Sequence, residues 1–188
     1  MERRQSLLPQ IGFCILLAAI AALLRIFPIA WNLSAVGAVA LCAGWVLRSR
    51  PWLAILVPLS AMLISDAVLG LHDWRMMLVI YAALAVPALV GRFLGSGPVA
   101  WRVGAFAAGE SILFFIATNF AHWVFFNTYP HTLPGLVECY IAALPFFKFT
   151  LLGDLLFSGV FFSAAVLLQK YWQRYPMPAL GGAAPVRA

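Results

Sequence analysis

Charge is almost confined to the joints between long apolar runs. No charged side chain occurs from Ile11 to Leu24, from Trp52 to Ser65 or from Met76 to Gly91. A helix with no polar face finds no place at a globule's surface, whereas a hydrocarbon core about 30 Å thick asks for roughly 20 such residues in a row. Composition closes the alternative. The chain is 64% apolar and 10% charged, while soluble domains carry about 25% charged residues, so too little polar material is present to cover a water-facing surface. The ten-residue alternation of a membrane β-barrel is also missing. The chain reads as an all-α integral membrane protein of about six helices.

The helices are expected near residues 7–24, 32–47, 52–71, 76–94, 101–126 and 149–171, with a short interfacial or re-entrant helix at 135–144. Pro130, Pro134 and Pro145 are expected to break the chain around that segment. Residues 1–172 then form a single transmembrane domain, and residues 173–188, rich in Pro, Gly and Ala, form a disordered tail. The second helix would measure only about 24 Å, so it either sits in thinned lipid or continues past Pro28 as irregular backbone buried in protein. An apolar start behind Arg3 and Arg4 also resembles a secretory leader, but an uncleaved first helix accounts for it more simply.

Basic residues set the orientation. With the N-terminus inside, Arg3, Arg4, Arg48, Arg50, Arg92, Arg102, Lys170, Arg174 and Arg187 fall on the cytoplasmic side, and Arg25, Arg75 and Lys148 on the other. That asymmetry follows the positive-inside rule and predicts that both termini are cytoplasmic. The same scatter of single basic residues lacks the basic face of a nucleic-acid binder, and no nucleic-acid partner is expected.

Topology then brings polar residues of different helices to one depth. Asp66 near the outer end of the third helix, Asn119 and His122 in the fifth, and Asp154 near the outer start of the sixth lie at a similar level. His72, Asp73, Trp74, Asn127, Tyr129 and His131 occupy the loops above. Ionisable residues inside spans are costly and mark wet cavities, so these residues are the candidate lining of an outward-facing pocket. Each has a plainer reading as a helix cap, a brace or an interfacial aromatic. Glu110 lies deeper in the fifth helix, where pairing with Arg102 two turns away is the simplest expectation.

Motifs for other chemistry are missing. No HExxH or CxxC spacing, Gly-x-Ser-x-Gly or nucleotide loop occurs, so no metal, cofactor or ATP site is expected. Cys14, Cys42 and Cys139 are far apart and odd in number, as befits small buried hydrophobes. A membrane enzyme or a divalent-cation carrier using His122 and the nearby carboxylates is the alternative function. A structural or assembly subunit without a small ligand is another.

The stretches Asn32 to Gly44, Val57 to Gly70, Phe114 to Trp123 and Tyr129 to Asp154 resemble a family of small uncharacterised bacterial membrane proteins. That family in turn resembles the substrate-binding S components of energy-coupling factor vitamin transporters. The resemblance implies an S-component-like six-helix bundle in the bacterial inner membrane that captures a vitamin or similar micronutrient from outside. It works either alone or with a transmembrane coupling subunit and ATPases. It also implies that Ala18 and Ala22, a small-xxx-small pair on the first helix, form the contact with that partner subunit.

Overall fold

The computed structural model describes residues 7–30, 32–71, 73–95 and 97–174. Its elements are α1 (Leu7–Ile26), α2 (Val36–Val46), α3 (Pro51–Leu69), α4 (Trp74–Val90) with a 3-10 turn at Gly91–Leu94, α5 (Ala100–Phe125) and α6 (Leu133–Arg174). No strand occurs among the described residues. Five of these helices, all but α2, are long and apolar enough to cross a membrane. With so many apolar spans, the chain is a multi-pass membrane protein.

Local chemistry sets several boundaries. Pro51 opens α3 at a position where a missing N–H costs nothing. Asp73 caps α4 by accepting the backbone N–H groups of Arg75 (2.9 Å) and Met76 (3.4 Å). Apolar side chains such as Ile15, Leu16, Leu56, Leu63 and Val160 point outward from the bundle, as a lipid-facing surface requires. Exposed Trp52, Trp101 and Tyr171 lie at one end of the bundle and exposed Trp74 at the other, where aromatic rings anchor a protein to the two headgroup layers. The end at which α1, α3 and α5 finish is called distal below, and the other end proximal.

α2 is the centre of the fold. Ten of its eleven residues are buried, and α1, α3, α4, α5 and α6 all pack against it. A helix apolar all round belongs inside, and VGAVALCAGWV adds the small residues that let neighbours approach closely. A Cβ on Gly44 would collide with the backbone carbonyl of Ala88, so only glycine admits α4 at this distance. At the proximal end Trp45 donates its indole N–H to the carbonyl of Gly95 (2.6 Å) and packs against Phe162, with ring centroids 5.5 Å apart.

Several expectations are corrected here. α2 does not fill 32–47. It is an 11-residue helix preceded by irregular backbone at 27–30 and 32–35, and exposed Phe27 and Ile29 show that this connection is not buried in protein as expected. Asn32 there takes a left-handed φ of 59°, which asparagine tolerates better than most residues. The separate helix at 135–144 does not exist, because α6 runs unbroken through Pro145. An apolar environment favours keeping the remaining backbone hydrogen bonds of a helix over opening it, even where proline removes one. Ala18 and Ala22 are buried within the bundle, so the small-residue face of α1 meets the chain's own helices and is closed to a partner. A Cβ on Gly91 would collide with the backbone of Leu41 and Trp45, so this glycine also lets α2 and α4 pack closely. The expected disordered tail lies almost wholly outside the described residues.

Candidate functional site

Inside the distal half, where α2 stops short of the bundle's end, a cavity of about 210 Å³ opens between the helices. Its walls come from Arg25 of α1, Asn32 and Ser34 of the α1–α2 connection, Met62 of α3, Ile80 and Leu84 of α4, Glu110 and Phe114 of α5, and Thr150 and Asp154 of α6. A short central helix leaves this room, and the irregular chain before it lines the cavity. Non-helical backbone at membrane depth is tolerated in just such a setting.

Asp154 is buried and well satisfied. Its Oδ2 accepts the Ser111 hydroxyl at 2.6 Å, and its carboxylate also accepts the backbone N–H of Ala38. That second bond caps α2 from another helix, since Ala35 at the N-cap supplies no side-chain bond. A carboxylate at an N-terminus satisfies an orphan donor and sits favourably in the helix dipole.

Glu110 is different. It is 8% exposed, and neither carboxylate oxygen has a hydrogen-bond partner among the described residues. The expected pairing with Arg102 does not form: Arg102 instead donates to the carbonyl of Phe93 at 3.0 Å. Glu110 turns toward α2 and Asp154. A Cβ on Gly37 would run into Glu110 Oε1 and would lie 2.6 Å from Asp154 Oδ1, so both carboxylates crowd the space that this glycine leaves open.

Across the cavity, Arg25 pairs with Asp66 and also donates to Ser65. The second oxygen of Asp66 accepts the Tyr81 hydroxyl at 2.8 Å. Asp66 is 1% exposed and does not itself reach the cavity. It holds Arg25 in the wall. Asn32 donates to Thr150 Oγ1 (3.1 Å) and to the carbonyl of Phe146 (3.4 Å), tying the connection to α6.

An adjoining cavity of about 250 Å³ shares Asn32, Phe114 and Thr150 with the first and reaches Asn119. Asn119 donates its side-chain amide N–H to the carbonyl of Phe115 (2.8 Å), and its backbone carbonyl accepts from the Cys139 thiol at 3.6 Å. His122 packs against Phe126 and Tyr129, with ring centroids at 5.0 and 6.3 Å, and His131 packs edge-on against Trp123 at 5.4 Å. Asn127 is exposed in the α5–α6 turn. Asp73 pairs with Arg75 at 2.9 Å beside an exposed Trp74, and His72 lies outside the described residues.

The residues expected at one depth are therefore distributed over separate places. Asp154 lines the main cavity, Asn119 the adjoining one, Asp66 stands behind Arg25, and His122 and His131 pack among aromatic rings at the α5–α6 turn. No group of three or more metal-binding side chains comes together among the described residues. Sequence reading left Arg25, Asn32, Thr150 and Glu110 out of the site. For Glu110 a signal was present, because a carboxylate inside a span is suspect by its cost alone. Arg25 entered the sequence reading through the charge asymmetry.

A family model described as a family of unknown function (DUF6580) matches residues 5–179. No curated protein and no solved structure matches.

Proposed function

The chain belongs to that family of unknown function, and on this premise we propose that it captures a small polar solute in the distal cavity and serves its uptake across the membrane. One observation carries the reading: a membrane bundle places Arg25, Glu110 and Asp154 around a cavity that opens between its helices. Charged groups inside spans are costly and are kept where a substrate or ion meets them. The cavity is smaller than the roughly 300–1,000 Å³ of sites for drug-sized ligands, which favours a compact metabolite. Trp45, Phe162 and Leu94 fill the bundle at the proximal end, and this supports entry from the distal side.

The charge asymmetry supports cytoplasmic termini and an outward cavity mouth, and the family resemblance supports a bacterial inner membrane. The resemblance to S components of energy-coupling factor transporters supports a vitamin or similar micronutrient as the solute. Partner contact through Ala18 and Ala22 is not part of this proposal, since that face is filled. Any coupling subunit would meet another surface.

The test is native mass spectrometry of the protein purified gently in lipid nanodiscs. A small molecule retained by the wild type and lost on Thr150→Leu or Asp154→Asn substitution is the expected result. A protein that retains nothing, and gains no thermal stability from a panel of vitamins, their precursors and small metabolites, overturns the reading.

A further inference from the structure

We propose that Glu110 and Asp154 together form a binding site for one positive charge, either the ammonium head of the captured solute or an alkali cation, seated above Gly37. The inference rests on the capture reading and assigns its substrate chemistry.

The geometry makes the argument. A carboxylate that is more than nine-tenths buried, with neither oxygen hydrogen-bonded among the described residues, is a costly group to keep unless something compensates it. Glu110 lines the cavity, and its Oε1 and Asp154 Oδ1 converge on the space that Gly37 leaves by having no side chain. Positive groups nearby are committed elsewhere. Arg25 is held by Asp66, and the first turn of α2 serves Asp154 through Ala38. Two facing carboxylates in an interior of low dielectric attract a cation strongly. A divalent ion such as calcium asks for six to eight oxygen ligands, and no third metal-binding side chain joins the two carboxylates among the described residues, which favours a single charge.

The experiment uses the full chain in nanodiscs and measures thermal midpoint and heat of binding with methylammonium chloride and with sodium chloride. Wild type is compared with Glu110→Gln and Gly37→Ala, and the comparison cancels the general effect of salt. At least a tenfold weaker affinity for one of the two cations is expected in both variants. A response to methylammonium over sodium assigns the site to the solute's own head, and the reverse order assigns it to an alkali ion. Gly37→Ala keeps both carboxylates but its methyl group pushes their oxygens apart from where they converge, so it carries the test if Glu110→Gln fails to fold. Equal responses in wild type and variants mean that Glu110 holds a proton only, and the proposal falls. A neutral or anionic solute retained equally by wild type and Glu110→Gln also sinks it, while leaving capture standing. Cation binding that depends on Glu110, in a protein that retains no organic solute, keeps the site and removes the capture reading.

Discussion

Glu110 and Asp154 face each other over the first turn of α2, and they are not equivalent. Asp154 holds the Ser111 hydroxyl at 2.6 Å and the N–H of Ala38, whereas Glu110 has no donor among the described residues. One carboxylate therefore builds the fold and the other strains it. Asp154 joins α6 to α2 and α5. Glu110 makes no hydrogen bond that ties one helix to another among the described residues.

Replacing the two should accordingly move stability in opposite directions. Glu110→Met, similar in length and without an unsatisfied buried polar group, is expected to raise stability by about 1–3 kcal/mol. Asp154→Leu leaves the Ala38 N–H without its acceptor and the Ser111 hydroxyl with the Ala107 carbonyl alone, and is expected to lower it by a similar amount. Denaturation in a uniform detergent checks both, and a Glu110→Met protein less stable than wild type would show that the carboxylate has a structural partner.

Gly37 gives a second handle on the same place. A methyl group there meets Glu110 and Asp154 oxygens, and overpacking of this kind costs about 1–3 kcal/mol. Gly12 is the matched control, since a Cβ there meets nothing within 4 Å. Gly12→Ala is expected to leave stability unchanged or to raise it by up to about 1 kcal/mol through helix propensity. Similar losses at both positions would mean that the space above Gly37 yields easily.

These residues mark where sequence reading succeeds and where it stops. The membrane class and the approximate positions of four of the five long helices, α1, α3, α4 and α5, follow from uninterrupted apolar runs, because the bilayer imposes a length that the sequence must match. Pro145 misled, since its effect on a helix depends on the solvent around the freed carbonyl, and lipid offers that carbonyl no water. Depth alone grouped Asp66 with Asp154. Which side of a helix faces a cavity depends on rotation, and apolar surroundings that are alike on every side, as around α5, leave no periodic pattern from which to read it. The choice of Arg25 between solvent, lipid and Asp66 was a matter of packing that no local spacing encodes.

Asp66 itself should prove structural. Asp66→Ala removes the partner of both Arg25 and Tyr81. Breaking a buried ion pair from one side costs about 3–5 kcal/mol, and the lower end applies because the Arg25 side chain is 22% exposed. Tyr81→Phe deletes one hydrogen bond and is expected to cost about 1 kcal/mol. The double variant Arg25→Met, Asp66→Leu should recover much of the loss, since it leaves no charge unpaired. If the double variant is as unstable as Asp66→Ala, the pair does more than neutralise itself.

Asp73 allows a test by pH. The Arg75 side chain, with the N–H groups of Arg75 and Met76, holds the Asp73 carboxyl below its ordinary range. The folded protein therefore binds this proton less readily than the unfolded chain does. The stability that Asp73 supplies is complete above the unfolded pKa, about 3.9, and is lost as pH falls through the lower folded value. In thermal melts the gap between wild type and Asp73→Ala should be small, constant from about pH 6 to pH 8, and closed at strongly acid pH. Salt separates its two sources: the contact with the Arg75 guanidinium is solvent-exposed and should fade at high ionic strength, while the capping bonds to the α4 backbone should persist. A gap that widens on acidification would mean that the unfolded chain, not the cap, holds this carboxylate more firmly.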